Sequence, residues 1–400
     1  KSILGKFIPT YSRHVLRIEK KIKANCLSGT QNISVATLQK NAIRQMPVTT
    51  LNTLQLTVHD TIVPPSGEKS FKYTNWFNPT HIAKKHKVKN WSSDHWELLK
   101  EYAKLMYKGR QNTFWFRWTD FLEKINGRWT LNKERAIKYV EIFTNAGLWW
   151  IEGAPIANRP NGDWSSTELN LVFDSIPAKG PIGSLILREI ANQIKKLFKD
   201  QKWEKRWIQH ICDEPTDRNA ENYSTLSRQL KKVIGDIPII EATMSQNIIG
   251  AVDIWCPKVN DFQNNYSFFQ KRLEEGDQVW TYTCLAPGGP WINRLLDQER
   301  MRQVAIGWGA FKNNTNGFLH WGLSQWKADP YIQSVVDHPS MPNTNNKLPA
   351  GDTHVLFPGG KKPFSGLRFE AHRIGLEDYE LLKKLGQANK KLANLLSSEI

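Results

Sequence analysis

From residue 92 onward, short apolar runs alternate with stretches of helical periodicity, and this alternation restricts the fold more than any other feature. Apolar residues recur with helical spacing at residues 94–106, 133–146, 183–200, 221–234, 266–275 and 297–312. Runs typical of buried strands occupy residues 113–118, 148–151, 171–173, 207–213, 239–242, 252–256, 279–284 and 317–321. Eight candidate strands with helices between most of them predict an α/β fold, a (β/α)8 barrel of the TIM type.

The chain before the barrel has a different pattern. Residues 32–75 contain short stretches of alternating polarity, such as LQLTV at 54–58, separated by turn residues. We therefore expect a small or partial β domain, similar to a β-sandwich, over residues 1–75 and the barrel over residues 76–400. After the last predicted strand, residues 328–351 are rich in Pro and Asn and are expected to form a loop over the active face.

The charge balance bears on possible partners. A net charge of +17 would favour attraction to polyanions, but most basic residues are interspersed with acidic ones, as on a solvated surface. The sequence contains no zinc-finger, RNA-recognition or basic-zipper signature, so nucleic acid is not expected as a partner. No apolar run is long enough to span a membrane. HExxH, paired-cysteine, Walker and GxGxxG motifs are also absent, and neither a metal nor a cofactor is predicted.

Two adjacent carboxylates, Asp213 and Glu214, stand where the fourth predicted strand ends. Pro215 follows and lacks a backbone donor, so we expect the strand to stop there with Glu214 extended. Side-chain alternation then places His210 and Glu214 on one face and Asp213 on the other. Reacting groups of such barrels lie at the carboxyl ends of the strands, so this pair marks the candidate active site.

The arrangement of the pair suits one kind of glycoside hydrolysis. Retaining glycosidases usually hold an acid and a nucleophile roughly 5 Å apart across the scissile bond, whereas adjacent carboxylates diverge. A 2-acetamido sugar removes that requirement, because its own carbonyl oxygen attacks the anomeric carbon. Asp213 would then be ionised and stabilise the oxazolinium-like intermediate, while Glu214 would protonate the leaving oxygen. We expect their environments to separate their pKa values accordingly.

Further residues are candidates for substrate binding. The chain has 17 tryptophans, and among them Trp255 and Trp321 lie on predicted strands, where they either form platforms for sugar rings or fill the core. Tyr282 either holds the acetamido carbonyl or is a core tyrosine. Asp174 either binds a sugar hydroxyl or caps the following segment. His210 either bonds the substrate or is a buried structural histidine.

Several short motifs together resemble a known family. They are WFNP at 76–79, WSSDHW at 91–96, HICDEP at 210–215, YTC at 282–284, GPWIN at 289–293, GFLHWG at 317–322, PGG at 358–360 and LRFEAHRIGLEDYE at 367–380. These pieces resemble glycoside hydrolase family 123 over about residues 76–385. The resemblance implies a (β/α)8 barrel behind a β-sandwich and exo-acting, retaining β-N-acetylgalactosaminidase activity by neighbouring-group participation. It also implies Asp213 and Glu214 as the catalytic pair, a glycan or oligosaccharide as partner, and a periplasmic or secreted location.

The last of these motifs is the most distinctive. By position it belongs to the final helix and its start, and we expect Glu370, Arg373 and Glu377 to form a buried structural charge network near the barrel rim. Only about 75 residues precede the barrel, which is short for the sandwich domain of the family.

Three alternatives stay open at this stage. The substrate is either terminal β-linked N-acetylgalactosamine, another 2-acetamido sugar, or a sulfated glycan that the positive charge would attract. A barrel that binds carbohydrate without turnover is a different class. Nucleic-acid binding is favoured by charge alone, and the residues do not indicate an oligomeric state.

Overall fold

The computed structural model describes residues 28–37, 50–339 and 345–398. The chain divides into two compact units, Lys1–Val63 and Pro64–Ile400. In the first unit, Gly29–Thr37 and Thr50–Val58 form an antiparallel pair. Residues 1–27 and 38–49 of the predicted N-terminal β domain lie outside the described residues, so the β-sandwich stays a prediction.

Eight parallel strands can be followed through the described part of the second unit. They are β1 (Lys72–Asn75), β2 (Thr113–Phe116), β3 (Trp150–Gly153), β4 (Trp207–Gln209), β5 (Ile240–Ala242), β6 (Ile254–Cys256), β7 (Gln278–Tyr282) and β8 (Gly317–His320). The ladders run β2-β3-β4 and β5-β6-β7-β8-β1. A parallel bridge between Gln209 and Ile239 joins them on one side. On the other side, the Asn112 amide donates to the Tyr73 carbonyl at 3.3 Å. The sheet therefore curls into a barrel.

Helices connect most of these strands on the outside. They are α1 (Pro79–Lys85), α2 (Ser93–Lys108), α3 (Lys133–Asn145), α4 (Pro181–Gln201), α5 (Ala220–Ile234), α6 (Val259–Asn264), α7 (Tyr266–Glu274), α8 (Met301–Lys312), α9 (Leu367–Ala388) and α10 (Lys390–Ser398). Single-turn 3₁₀ helices lie at Trp118–Asp120, Pro160–Gly162 and Glu204–Arg206. Polar side chains set the beginnings of α2 and α3, because Ser92 and Asn132 accept amide hydrogens of the first turn.

Four short antiparallel strand pairs lie in the loops of the described part of the second unit. They are Leu122–Ile125 with Arg128–Leu131, Ala157–Asn158 with Asn170–Leu171, Val336–Asp337 with Lys347–Leu348, and Leu356–Pro358 with Pro363–Ser365. The third pair lies within the predicted loop 328–351, of which residues 340–344 are outside the described part. The position of this loop over the active face stays a prediction.

Two sequence predictions about the strands are wrong. Residues 171–173 do not form a barrel strand, because Asn170–Leu171 pairs antiparallel with Ala157–Asn158 inside the loop after β3. The missing strand is Lys72–Asn75, which the pattern assigned to the N-terminal domain but which pairs with β8. Its inward residue Thr74 is polar, so this strand lacks the apolar run by which the others were found.

Strand alternation divides the core into an inner and an outer part. An interior cluster is formed by Ile208, Ile240, Ala242, Ile254, Cys256, Trp280, Tyr282 and Leu319. Alternate strand residues such as Trp207, Ile239 and Trp255 pack instead into the larger cluster under the helices.

The final helix packs closely on α8. A Cβ at Gly375 would overlap the carbonyl of Val304, and one at Gly307 would overlap the carbonyl of Gly375, so only glycines permit this approach. On the same helix Arg373 bonds Glu370 at 2.9 Å and Glu377 at 2.5 Å. The predicted charge network therefore forms in α9, but it is buried only at Glu370, because Arg373 and Glu377 are partly exposed.

Helix α9 also holds the first strand. The Glu380 carboxylate accepts the amide hydrogen of Phe71 at 2.7 Å, and the Tyr73 hydroxyl lies 3.0 Å from Nδ1 of His372. The seam between β1 and β8 is therefore fixed from the outside. Among the helices described, none is both long and apolar enough to cross a bilayer.

Candidate active site

The Asp213–Glu214 pair lies on the loop that leaves β4, at the carboxyl end of the barrel strands. Strand β4 ends at Gln209, and residues 211–214 bend away, so the alternation expected as far as Glu214 does not hold. Glu214 has φ of 51°, in the left-handed region, and the prediction of an extended Glu214 is wrong. The Arg159 guanidinium donates to the Glu214 carbonyl. A residue in this region costs of order 1–3 kcal/mol, and such strain concentrates at functional sites.

Asp213 is partly buried and lies next to the carboxylate of Glu214. Burial, the charge of Glu214 and the charge of Glu241 raise the pKa of Asp213 to about 8, against the opposing effects of His210 and Arg159. The pair therefore keeps one proton near neutral pH. The sequence analysis expected an ionised Asp213. In the free site the raised pKa instead favours the protonated form of Asp213 at neutral pH.

Tyr282, at the end of β7, is brought to the pair. Its hydroxyl donates a hydrogen bond to Oε1 of Glu214. Burial and the neighbouring charge of Glu214 raise the pKa of Tyr282 well above its ordinary value, so the phenol stays a hydrogen-bond donor. A contact of Tyr282 with substrate stays a prediction.

His210 lies beneath the pair and is fully buried between two carboxylates. Its Nε2 is 2.9 Å from Glu152 Oε1, and its Nδ1 is 2.8 Å from Glu241 Oε1. Burial alone would lower the pKa of His210, but the two carboxylates raise it to about 10, so the ring is an imidazolium. Both ring nitrogens are occupied, which contradicts the substrate-binding prediction for His210 and agrees with the structural alternative.

Glu241, in β5, holds the backbone that leads to the pair. Its Oε2 accepts the amide hydrogens of Ile211 at 2.9 Å and Cys212 at 3.1 Å, and the hydroxyl of Tyr223 at 3.1 Å. The carboxylate is fully buried. Sequence analysis missed Glu241, although an acidic residue inside the apolar run 239–242 is a signal that could have found it.

Glu152, in β3, is the second residue that sequence analysis missed. Its carboxylate accepts hydrogen bonds from the hydroxyl of Thr74 and from Nε1 of Trp76, the latter at 2.9 Å. Here too a carboxylate interrupts an apolar strand and is fully buried. Glu152 thus connects His210 to the end of β1.

Two tryptophans form an aromatic surface beside His210. Trp76 and Trp115 stack with their ring centroids 4.2 Å apart and their planes at 23°. The His210 ring lies 5.3 Å from Trp76 and 5.4 Å from Trp115. Trp76 is half-buried and follows β1, so part of its surface is open at the carboxyl end of the strands.

The predicted tryptophan platforms have different outcomes. Trp255 is fully buried on the helix side of β6, where it packs against Phe268 and donates a hydrogen bond to Asp277 at 2.9 Å. The prediction that Trp255 binds substrate is therefore wrong, and the alternative that it fills the core holds. Trp321 directly follows β8 and is half-buried. Its Nε1 donates to both oxygens of Asp352, at 3.1 and 3.2 Å. Its contact with substrate stays a prediction.

Asp174 belongs to a different group of loop residues. Its carboxylate accepts hydrogen bonds from Lys124 at 2.7 Å and from Nε1 of Trp129 at 3.0 Å. It caps no described helix, because α4 begins after Gly180, so the capping alternative is wrong. These bonds tie Asp174 to the hairpin before α3, and its role in binding a sugar hydroxyl stays a prediction.

Comparisons with known proteins agree with this architecture. The profile of the glycoside hydrolase 123 catalytic domain matches residues 76–385. A family 123 glycoside hydrolase from Clostridium perfringens, studied for glycolipid glycan hydrolysis, superposes with a TM-score of 0.70 at 15% identity, covering 94% of this chain and 69% of that chain. A cold-adapted β-galactosidase from Rahnella sp. R3 gives a TM-score of 0.47 at 13% identity, covering 80% and 57%. No curated protein matches the sequence significantly. The chain therefore belongs to glycoside hydrolase family 123, and its activity is the hydrolysis of glycosidic bonds in glycans.

Proposed function

We propose that this protein is a retaining exo-β-N-acetylgalactosaminidase in which the 2-acetamido group of the substrate is the nucleophile. The observation that carries the proposal is the position of Asp213 and Glu214 on consecutive residues. Two such carboxylates do not face each other across a glycosidic bond, as an acid and an enzymatic nucleophile must. The two other carboxylates next to the pair, Glu152 and Glu241, are fully buried and bound to His210, so neither is free to attack.

The single proton of the pair supports a division of roles. In the substrate complex the acetamido N–H donates to Asp213, which favours its ionised form and leaves the proton on Glu214. Glu214 then protonates the glycosidic oxygen while the acetamido oxygen attacks the anomeric carbon. Asp213 stabilises the positive charge of the oxazolinium, and Glu214 takes a proton from the water that opens it. Two displacements at one carbon retain its configuration.

Tyr282 completes the proposed site. Its hydroxyl already lies against Glu214, and a substrate bound to the pair would bring the acetamido oxygen within its reach. Trp76 and Trp321, both half-buried at the carboxyl ends of β1 and β8, supply apolar surface for the sugar ring. The exo action and the galacto configuration rest on membership of the family.

The test is release of nitrophenol from the β-N-acetylgalactosaminide and the β-N-acetylglucosaminide. We expect turnover of the first, and a galacto-configured thiazoline that mimics the oxazolinium should inhibit it strongly. Asp213→Asn and Glu214→Gln should each lower kcat/KM by orders of magnitude. The matched control is Asp217→Asn, an exposed carboxylate on the same loop. Full activity in both pair variants would refute the site, and binding of sugar without turnover would favour the non-catalytic barrel.

Arg159 favours a second candidate, the hydrolysis of a sulfated 2-acetamido glycan. Its guanidinium lies beside the pair, stacks 3.8 Å from the ring of Trp164, and has a buried Nε without a hydrogen-bond partner among the described residues. A sulfate near this cation would bind more tightly at low ionic strength. Salt should then slow turnover of a sulfated substrate and leave that of the neutral one unchanged. Equal salt dependence of the two would exclude this candidate.

A further inference from the structure

We infer that Glu241 and His210 are positioning residues for the proposed reaction: Glu241 fixes the backbone that carries Asp213 and Glu214, and His210 ties Glu241 to Glu152. The inference rests on the proposed function. It assigns a task to side chains that have no access to substrate, since all three members are fully buried.

The first step of the argument concerns the backbone before the pair. Because β4 ends at Gln209, the sheet supplies no ladder partner to the buried amides of Ile211 and Cys212. One carboxylate oxygen of Glu241 accepts both, in place of a neighbouring strand. Hydrogen bonds to an ionised acceptor are about twice as strong as neutral ones. The residue immediately before Asp213 is thereby held to β5.

The second step concerns the connection across the barrel. His210 bonds Glu241 through Nδ1 and Glu152 through Nε2, and Glu152 is held in turn by Thr74 and Trp76. The network therefore links the ends of β1, β3, β4 and β5. Removing one partner from a buried set of charges leaves another unpaired, which costs several kcal/mol, so the members act as a unit.

The third step concerns charge. Glu241 raises the pKa of Asp213, whereas His210 lowers it. Other groups within electrostatic reach of Asp213 are Glu214, Arg159, Tyr282, Cys212 and Cys256. Glu241→Gln should therefore lower the pKa of Asp213, and His210→Gln should raise it. These opposite shifts report the charges that Glu241 and His210 place near Asp213, and the positioning role itself is decided by the kinetics of Glu241→Asp.

The experiment is a carboxyl-carbon NMR titration of Asp213 in the whole chain, labelled with 13C at aspartate. The expected result is a lower midpoint in Glu241→Gln, a higher one in His210→Gln and no shift in Tyr223→Phe. This control removes a neutral hydrogen bond to the same Glu241 oxygen. Shifts of equal sign, or none, in folded variants would overturn the inference. The titration needs no substrate, so it decides this point even if no 2-acetamido sugar is cleaved.

Replacing Glu241 by the shorter aspartate distinguishes the positioning role of its side chain from the effect of its charge. Glu241→Asp keeps the charge but does not reach both amides, so the pKa of Asp213 should stay raised while kcat falls about 100-fold with KM nearly constant. Wild-type kcat in this variant would overturn the positioning role. If the variants do not fold, 15N NMR of wild-type His210 provides the test. Both ring nitrogens should carry protons at pH 8, and a neutral ring would overturn the inference.

Discussion

The hydroxyl of Tyr282 donates to the carboxylate of Glu214, although the two residues belong to β7 and to the loop after β4. They are 68 residues apart in sequence, and the contact spans the open end of the barrel. In the proposed substrate complex the same hydroxyl holds the acetamido oxygen.

Removal of this hydroxyl should therefore impair every substrate. We expect Tyr282→Phe to lower kcat/KM roughly 100-fold for both good and poor leaving groups, because the acetamido oxygen is held in either case. Glu214→Gln should instead be tolerated best with good leaving groups, which need little protonation. Steady-state kinetics with nitrophenyl and methylumbelliferyl glycosides compare the two. Tyr266→Phe, at an exposed tyrosine of α7, is the control. A defect in Tyr282→Phe confined to poor leaving groups would limit its role to Glu214.

The activity should have a basic limb near pH 8. The proposed reaction needs one proton on the Asp213–Glu214 pair, and the raised pKa of Asp213, about 8, is where the free pair loses it. Below that pH the acid is present, and above it both carboxylates are ionised and kcat/KM falls. The measurement is kcat/KM between pH 5 and 10. Activity rising through pH 9 would contradict a single shared proton.

Ionisation of Asp213 should also lower the stability of the folded protein as the pH rises. The pKa of Asp213 is raised from 3.8 to about 8 on folding, so the folded state binds the proton more tightly than the unfolded chain. This contribution to stability is complete below pH 4 and is lost as the pH rises to 8. Asp213→Asn should thus gain thermal stability relative to wild type, by a few degrees in Tm, between pH 5 and pH 8. A difference independent of pH would show that Asp213 is ionised throughout.

Two tryptophan substitutions should have separate effects. Trp255→Phe should lower the free energy of unfolding by about 1–3 kcal/mol, because it leaves a void beside Phe268 and removes the indole hydrogen bond to Asp277, while KM stays constant. Trp321→Phe should raise KM several-fold with little loss of stability, because the ring is half-buried at the end of β8. Chemical denaturation and kinetics on the same preparations measure both. A raised KM in Trp255→Phe would restore it to the site.

The glycine contact between α8 and α9 should tolerate no side chain. Gly375→Ala places a Cβ against the Val304 carbonyl, which belongs to backbone that cannot move aside cheaply. We expect a loss of about 1–3 kcal/mol in the free energy of unfolding. Gly360→Ala is the matched control, since a Cβ there meets open space. Equal stability of the two variants would show that the helices separate without cost.

The sequence predicted the barrel well because most of its strands are apolar and its helices strongly periodic. It failed at Lys72–Asn75, where Thr74 faces inward to bond Glu152 and breaks the apolar pattern. It failed again at residues 171–173, where an apolar run serves a loop. An apolar run in the sequence indicates that a segment is buried, but burial alone does not distinguish a barrel strand from a buried loop.

The candidate site was predicted from two adjacent carboxylates, but the residues that surround them were not. Alternation was extended through Glu214, whereas the strand ends at Gln209 and Glu214 adopts a left-handed backbone held by Arg159. The partners of His210 come from β3 and β5, and no local signal in its own strand identifies them. Such long-range pairing depends on the closed barrel and is read only from the structure.

Helix α9 closes the seam at β1, and this has a consequence for how the domain is made. Glu380 bonds the Phe71 amide across 309 residues of chain. During synthesis on the ribosome this bond can form only after α9 has emerged. Thr74 and Trp76, which hold Glu152 beneath the reacting pair, lie on and just after that strand. The surroundings of the proposed catalytic pair, Asp213 and Glu214, are therefore complete only when synthesis of the domain is almost finished.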